Sequence, residues 1–264
     1  MTPRSDVPAV WFLGVRFSLI DMDGTLGLLR ARPADAPFMY VSTPNAQHVV
    51  RIQRGQARAT AAHDHAWVTP CDSRVLTALA RLLFGLHLPV VTGSDLTVRL
   101  FGEVIDRAEP VTVIGGSPEL EAMLREKVGL SALALFNPPY GFYNDPVEMD
   151  RAAAFVEAHP ARFVFLACGT PQSELLAIRI EERGLSTGSG LCIGASLMFL
   201  TGQLRRAPVI FQRTHLEWLF RLLQEPKRLW RRFLEDQLPV LLIAARFRLD
   251  RRLSADQSIR GQWR

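Results

Sequence analysis

The chain has 264 residues, which suits one α/β domain with a modest extension and is long enough to bury a substantial core. Its 48% hydrophobic and 22% charged residues are ordinary for a globular protein and exclude the disordered and fibrous classes. The net charge of +5 is unevenly spread along the chain. Residues 205–264 carry 14 Lys and Arg against 6 Asp and Glu, a net charge of +8. Residues 1–204 carry 17 Lys and Arg against 20 Asp and Glu, a net charge of −3.

Short apolar runs alternate along the chain with segments of helical periodicity. We predict strands at residues 17–20, 38–42, 66–69, 90–93, 111–115, 132–136, 163–167 and 191–195. We predict helices at residues 74–84, 96–107, 119–127, 147–159 and 173–184. Strands that alternate with helices of this length indicate βαβ units, and therefore an α/β fold with a mostly parallel sheet and helices on both faces.

After residue 204 the pattern changes to amphipathic helix, so we divide the chain into a body, 1–204, and a basic amphipathic extension, 205–264. Pro226 suits the first position of a second helix within this extension. Aromatic and aliphatic residues interleaved with arginine are typical of an interfacial membrane helix, although a helical hairpin packed on the body is the alternative. The basic charge favours an anionic membrane surface as partner. No finger, RRM-like or helix-turn-helix pattern supports a nucleic-acid partner.

The sequence also predicts where the protein resides. Three cysteines without CxxC spacing, Cys71, Cys168 and Cys192, favour a reducing compartment. The N-terminus lacks the pattern of a signal peptide, and the apolar run at 239–245 is far shorter than the roughly 20 residues that span a bilayer. We therefore expect a cytoplasmic protein, peripheral on the inner face of the cytoplasmic membrane. The oligomeric state is left open.

Polar and turn-forming residues follow most of the predicted strands. The loops are 43–45 (TPN), 70–72 (PCD), 93–95 (GSD), 115–118 (GGSP), 137–141 (NPPYG) and 169–172 (GTPQ). Turns and helix caps are enough to explain any one of them. Because ligands of parallel sheets bind beyond the carboxyl ends of the strands, six such loops at one edge predict a polar site there.

An acidic motif near the N-terminus suggests an alternative function. Asp21 and Asp23, in DMDGT after the apolar FSLI, resemble the first motif of the haloacid-dehalogenase phosphatases, which use two such aspartates with Mg²⁺. The predicted strands at 163–167 and 191–195 end without the paired acidic residues that would complete a Mg²⁺ site. A Mg²⁺-dependent phosphatase is therefore the alternative, and an acidic turn closing an N-terminal hairpin is the simpler interpretation.

Eight segments between about residue 13 and residue 233 form a distinctive series: STPNAQHVV (42–50), VTPCDSRVL (68–76), VTGSDL (91–96), VTVIGGSPE (111–119), PPYGF (138–142), GTPQSE (169–174), RRAP (205–208) and HLEWLFRLLQEPKRLWRRFL (215–234). In these segments the chain resembles the WecG/TagA/CpsF glycosyltransferases, which include teichoic-acid N-acetylmannosaminyltransferases. The resemblance implies a Rossmann-like body and an extension that helps to dock the membrane and complete the active site. It also implies an inverting transfer, without metal or cofactor, from a UDP-sugar to a polyprenyl-diphosphate-linked glycan.

The resemblance also implies roles for the residues that take part in the chemistry. Asp72 matches the family's acidic residue and follows a predicted strand, so we expect it to be the general base on the acceptor hydroxyl. Its alternative role is the N-cap of the following helix. Thr43 and Asn45 match polar residues of the family's site and are expected to hydrogen-bond the sugar or the acceptor.

The donor nucleotide requires groups that stabilise the departing diphosphate. Gly115, Gly116 and Ser117 open a helix after a strand, where backbone N–H groups and the helix dipole can receive an anion. We assign donor binding also to four residues of the later loop, Gly169, Pro171, Gln172 and Glu174. Three arginines of the extension are candidates to bind the diphosphate or the acceptor: Arg206, Arg213 and Arg221. For each of them alone, a surface charge is an equally good explanation.

Three positions depart from the family's pattern. Ser173 replaces the usual Gln before Glu174, Val90 replaces a common Arg, and Ser73 replaces a Gly. These departures leave the identity of the donor sugar open. They also suggest a second alternative, a catalytically weakened, membrane-associated assembly protein. His63, Asp64 and His65 have no partners at zinc spacing, so no metal site is predicted.

Overall fold

The computed structural model describes residues 6–204, residue 235 and residues 238–253. Its strands are β1 (Ala9–Phe12), β2 (Val15–Ser18), β3 (Met39–Ser42), β4 (Val111–Ile114), β5 (Leu133–Phe136), β6 (Phe163–Leu166) and β7 (Ser189–Cys192). Strands β1 and β2 form an antiparallel hairpin, and the other five form a parallel sheet in the order β3-β7-β6-β4-β5. The predicted α/β fold with a mostly parallel sheet is therefore confirmed.

Helices flank this sheet along the described chain. They are α1 (Met22–Ala31), α2 (Ala46–Gln53), α3 (Ala57–Asp64), α4 (Arg74–Phe84), α5 (Gly93–Glu103), α6 (Pro118–Met123), α7 (Pro146–Ala158), α8 (Gln172–Arg183), α9 (Ser196–Leu200) and α10 (Leu238–Leu253). The five predicted helices form, and α4 matches its predicted bounds at both ends. The helix predicted at 96–107 begins earlier because Thr92 caps it, with Oγ1 accepting from the Asp95 amide at 3.1 Å.

The core lies on both faces of the sheet. Strand β6 is fully buried, and its side chains alternate between the two faces. Phe163 and Phe165 pack into the cluster that holds α1 and α5, whereas Val164 and Leu166 pack into the cluster that holds α7 and α8. A strand covered on both sides in this way has a continuous apolar sequence, and helices on both faces are confirmed.

Two predicted strands at the edge of the sheet are reduced to single bridges. Val68 pairs with Val41 of β3, and Val90 pairs with Cys71, each as one parallel bridge. The prediction of strands at 66–69 and 90–93 was therefore wrong in extent. Pro70 directly follows the first segment, and Pro89 directly precedes the second. Because proline has no backbone N–H, each removes a donor that a continuous ladder of hydrogen bonds needs.

The N-terminal segment also differs from the prediction. The strand expected at 17–20 is β2, which pairs with β1 outside the parallel sheet. The acidic motif forms the start of α1 instead of a turn, with Asp21 as its N-cap. The Oδ1 atom of Asp21 accepts a hydrogen bond from the Gly24 amide at 2.8 Å, which explains why this sequence begins a helix.

Helix α10 packs on the body through one of its faces. Val240 and Ala244 are buried in the cluster formed with α2 and α4, while Leu242 and Leu249 are exposed. The helices expected near 216–223 and 226–233 lie outside the described residues, as do Arg206, Arg213 and Arg221. None of the described helices is long and apolar enough to cross a bilayer.

Candidate active site

Four segments meet around Gly93, the first residue of α5. A methyl group at this position would lie 3.2 Å from Oγ of Ser196, 3.3 Å from Oγ1 of Thr43 and 3.6 Å from Oδ2 of Asp72. Thr43 follows β3 and Ser196 follows β7, so they reach this point from the shared carboxyl edge of two neighbouring parallel strands. The structure therefore brings together three side-chain oxygens, and the absence of a side chain at Gly93 leaves space between them.

Asp72 enters this cluster from the segment between the bridge residue Val68 and α4. Its backbone amide donates to the carbonyl of Pro44 at 3.0 Å, which ties it to the loop of Thr43. The N-cap of α4 is Ser73, whose Oγ accepts from the Leu76 amide at 3.2 Å. The alternative in which Asp72 caps this helix is therefore wrong, and its partly buried carboxylate faces the other oxygens of the cluster.

Thr43 and Asn45 have different local roles. The Thr43 hydroxyl donates to the Cys192 carbonyl at 3.3 Å, which leaves its oxygen lone pairs directed elsewhere. Asn45 caps α2 through Oδ1, which accepts from the Gln47 amide at 3.0 Å. The capping oxygen is thus bound to the helix, and the side-chain nitrogen Nδ2 of Asn45 makes no hydrogen bond to another residue in the described ranges.

Behind this cluster lies a buried network of histidine and glutamate. Nε2 of His48 lies 3.3 Å from Oε1 of Glu174, and Nδ1 lies 3.1 Å from the Asn45 amide. Burial alone would raise the pKa of Glu174, but the hydrogen bond from His48 and the electrostatic interactions with His48 and His63 hold it below its usual value. Glu174 is therefore an ionised carboxylate inside the protein, 3% exposed.

His63 extends the network on its other side. Its ring packs edge-to-face on His48 with centroids 4.9 Å apart, and Nδ1 lies 3.3 Å from Oγ of Ser42. Burial, together with the neighbouring His48, lowers the pKa of His63 to about 3. His63 is thus neutral at physiological pH and supports the network by packing and hydrogen bonding.

The glycine pair after β4 is explained largely by packing. Gly115 has φ +93°, and a Cβ there would lie 2.9 Å from the Ala167 carbonyl carbon. At Gly116, with φ +127°, a Cβ would lie 2.9 Å from the Leu120 side chain. The Gly115 amide is already bonded to the Phe136 carbonyl at 2.8 Å, so it is not available to an anion.

Ser117 caps the short helix α6, with Oγ accepting from the Leu120 amide at 3.3 Å. The first turn of α6 also contains Glu119 and Glu121. A hydrogen bond with Ser117 holds the pKa of Glu119 below its usual value, so a negative charge stands at this helix start. That charge opposes a second anion, and the binding of the donor diphosphate by this loop stays a prediction.

The GTPQSE loop begins at Gly169, with φ +80°, and contains a cis peptide bond before Pro171. Gln172 begins α8, and its buried Oε1 has no hydrogen-bond partner among the described residues.

The Ser173 hydroxyl accepts from the Cys168 amide at 3.1 Å and donates to the Leu166 carbonyl at 2.9 Å. Ser173 therefore stabilises the loop and is not directed at a ligand. The loop also contacts α2, because Nη1 of Arg51 donates to the Thr170 carbonyl at 2.7 Å.

The acidic motif of the alternative phosphatase lies apart from the parallel sheet. Asp21 is engaged as a helix cap, and Asp23 is exposed and paired with Arg99 at 2.6 Å. A nucleophile at the end of β2 would belong to the hairpin, not to the shared carboxyl edge of β3 to β7. Within residues 6–204 and 238–253, no three His, Cys, Asp or Glu side chains are grouped so that they could share a metal ion.

The sequence interpretation missed His48, Ser196 and the role of Gly93. His48 stands three residues after the cap Asn45, and this position of a helix often bonds back to the cap amide. That spacing could have singled out His48, although the usual residue there is Glu or Gln. Ser196 and Gly93 carry no such pattern, because only the fold brings them together.

The model of the Glycosyl transferase WecG/TagA/CpsF family matches residues 10–254, nearly the whole chain. The matched range contains the cluster around Gly93 and the buried pair His48 and Glu174. The chain therefore belongs to the WecG/TagA/CpsF family, glycosyltransferases of cell-surface polysaccharide synthesis.

Proposed function

We propose that this protein is an inverting, metal-independent hexosyltransferase. It moves a sugar from a UDP donor, such as UDP-N-acetylmannosamine or another UDP-hexose, to a polyprenyl-diphosphate-linked glycan. The observation that carries this proposal is the meeting of Asp72, Thr43 and Ser196 around Gly93 at the carboxyl edge of the sheet. A carboxylate beside hydroxyl groups suits the orientation and deprotonation of a sugar hydroxyl.

In the proposed reaction Asp72 is the general base. The acceptor hydroxyl attacks the anomeric carbon from the face opposite UDP and gives its proton to Asp72. The bond between that carbon and the diphosphate oxygen breaks, and UDP leaves with the electron pair. Thr43, Ser196 and the side-chain nitrogen Nδ2 of Asn45 supply hydrogen bonds that orient the two sugars, since holding reactants in line contributes much of the rate enhancement.

The leaving diphosphate needs positive charge or N–H groups around it. We assign this role to Arg206, Arg213 and Arg221 of the extension, together with the backbone N–H groups of Gly116, of Ser117 and of the loop at 169–172. The support for the arginines is the family resemblance and the net charge of +8 on residues 205–264. We assign no metal to this step.

We further propose that the protein docks on the inner face of the cytoplasmic membrane, where a polyprenyl-linked acceptor is held. The exposed face of α10 supports this proposal, because Leu242 and Leu249 are 64% and 58% exposed on a helix that is anchored through Val240 and Ala244. An exposed apolar row followed by basic residues suits an anionic lipid surface.

A second candidate is favoured by Ser173. Because its hydroxyl is bonded to the backbone of Leu166 and Cys168, it does not provide the donor contact expected of a Gln in its place. A membrane-associated assembly protein with weakened catalysis is consistent with that loss. The two candidates differ in one measurable property, the turnover of a UDP-sugar in the presence of acceptor.

The test is UDP release from a panel of UDP-sugars, with and without a short-chain polyprenyl-diphosphate-sugar, in the presence of EDTA. The proposal predicts release that requires the acceptor and survives EDTA, and the active donor names the sugar class. If none of the UDP-sugars in the panel releases UDP, the assembly protein is favoured. Mg²⁺-dependent phosphate release that requires Asp21 would favour the phosphatase.

A further inference from the structure

A chain of buried hydrogen bonds connects the GTPQSE loop with the start of α2. Oε1 of Glu174 lies 3.3 Å from Nε2 of His48, and on the opposite edge of the ring Nδ1 lies 3.1 Å from the Asn45 amide nitrogen. His48 is 5% exposed and Glu174 is 3% exposed. The ring is therefore held between a carboxylate and a backbone N–H with almost no access to water.

One tautomer of His48 satisfies both the hydrogen bond from the Asn45 amide and the hydrogen bond to Glu174. A backbone N–H can only donate, so Nδ1 must carry a lone pair to accept from Asn45. With Nδ1 unprotonated, the ring proton resides on Nε2 and is donated to the Glu174 carboxylate.

The other tautomer would hold Asn45 differently. Nδ1 of His48 also lies 3.0 Å from Oδ1 of Asn45, so a proton on Nδ1 would be donated to that oxygen. The Asn45 amide would lose its acceptor, and Oδ1 would be shared between His48 and the Gln47 amide that it now caps. The position of one proton on His48 thus decides how the side chain of Asn45 is held.

Glu174 does not have the geometry of a direct donor ligand. One of its oxygens is bonded to His48, and the other, Oε2, is buried without a hydrogen-bond partner among the described residues. Both oxygens are shielded from the solvent from which a UDP-sugar would enter. Its effect on the site must therefore pass through the residues that it contacts.

We propose that Glu174 and His48 are positioning residues, in which the carboxylate fixes the Nε2–H tautomer of His48 and His48 in turn orients Asn45 toward the substrate. This inference rests on the proposed transferase function for its effect on catalysis. The connection reaches the cluster at Gly93 because Asn45 follows Thr43 by two residues and the intervening Pro44 accepts from the Asp72 amide.

The tautomer is measured by nitrogen NMR on protein labelled with ¹⁵N-histidine, because a ring nitrogen with a proton and one without give well-separated signals. The His48 signals are assigned by their loss in His48→Asn. We expect Nε2 protonated and Nδ1 unprotonated in the wild type, and a shift of Nδ1 toward the protonated position in Glu174→Gln. Glu182→Gln, an exposed glutamate of the same helix, is the matched control and should leave both signals unchanged.

A proton on Nδ1 in the wild type would overturn the inference, and so would ring-nitrogen signals that Glu174→Gln leaves unchanged. The wild-type measurement needs no variant, so it decides the matter even if Glu174→Gln does not fold. Neither readout depends on activity. If the wild type transfers no sugar, the proposed function fails while the tautomer is still tested.

Transfer kinetics then test whether the tautomer acts on the site. Glu174→Gln should lower kcat/KM by roughly tenfold or more, as expected when a histidine loses the group that fixes its tautomer. In His48→Asn, the Asn oxygen stands near the former Nδ1 and needs no carboxylate to hold it. Adding Glu174→Gln to that variant should therefore change kcat/KM less than about twofold. An equal loss in both backgrounds would mean that Glu174 acts without His48 and would overturn the inference.

Discussion

The backbone amide of Asp72 donates a hydrogen bond of 3.0 Å to the carbonyl oxygen of Pro44. This bond joins two loops that the chain sequence separates, and it places the candidate base beside the loop that carries Thr43 and Asn45. Together with the open position at Gly93, it defines a small site lined by oxygen atoms.

Gly93→Ala is expected to reduce transfer without unfolding the protein. The new methyl group would stand 3.2–3.6 Å from the three oxygens of Ser196, Thr43 and Asp72 and fill the space between them. We expect kcat/KM to fall about 10–100-fold, because small misplacements at a reacting centre have effects of that size. The free energy of unfolding, measured in urea, should change by no more than about 1 kcal/mol, since alanine is favoured over glycine in helices.

Gly102→Ala is the matched control for this prediction. Gly102 lies near the other end of α5, and a Cβ there meets no atom within 4 Å. It should therefore keep full transfer and the same or slightly higher stability. Equal activity of the two alanine variants would contradict the assignment of the site to Gly93.

The burial of His63 predicts a loss of stability in acid. Its pKa is about 3 in the folded protein against an ordinary 6.5, so the unfolded chain binds more protons between these values. The free energy of unfolding should then fall as the pH drops below about 6.5, by up to about 1.4 kcal/mol per pH unit from this group. Urea unfolding at several pH values measures the slope.

His63→Asn should flatten that slope, although it lowers stability at neutral pH by removing a buried, packed ring. His65→Asn changes an exposed histidine two residues away and should leave the slope as in the wild type. Parallel curves for the wild type and His63→Asn would show that another group accounts for the loss of stability in acid.

Asp21→Ala is expected to affect stability and not transfer. The carboxylate caps α1 by accepting from the Gly24 amide, and loss of such a cap typically costs about 1 kcal/mol. Asp21→Asn should recover most of that loss, since asparagine also caps helices well. Thermal unfolding and UDP release measure the two effects, and loss of UDP release in a folded Asp21→Asn variant would contradict a purely capping role for Asp21.

The exposed leucines of α10 are expected to contribute to membrane binding. Leu242→Glu combined with Leu249→Glu should weaken binding to anionic vesicles at least about tenfold, because burying one leucine contributes roughly 1.5–3 kcal/mol. Leu185→Glu, an exposed leucine between α8 and β7, is the control and should bind as the wild type. Cosedimentation measures the binding, and an unchanged double variant would remove α10 from the docking surface.

The sequence predicted the fold where local patterns agree with tertiary packing. Helix α4 has both helical periodicity and its end signals, since Ser73 caps its start and Gly85 ends it in a left-handed conformation. Strand β6 was predictable because it is apolar throughout and buried on both faces. Where Pro70 and Pro89 remove backbone donors, apolar runs that look like strands form only single bridges.

The candidate site was predictable only in part. The loops of Thr43 and Asp72 could be placed at the sheet edge, because the carboxyl ends of parallel strands lie on one side. The pairing of His48 with Glu174 could not be predicted, since the two residues are 126 positions apart and no local sequence pattern indicates that they are in contact. Contacts of this kind depend on the three-dimensional arrangement of β3, α2 and α8, which residue spacing does not encode.

The most direct test of the central claim compares Asp72→Asn with Asp35→Asn, an exposed aspartate in the loop before β3. Acceptor-dependent UDP release is measured in EDTA, with the fold of each variant checked by circular dichroism. We predict that Asp72→Asn lowers kcat by about 10²–10⁴-fold, because an amide does not accept the proton of the acceptor hydroxyl, while Asp35→Asn keeps full activity. Undiminished transfer by a folded Asp72→Asn variant would contradict the account, because the base would then have to be another residue.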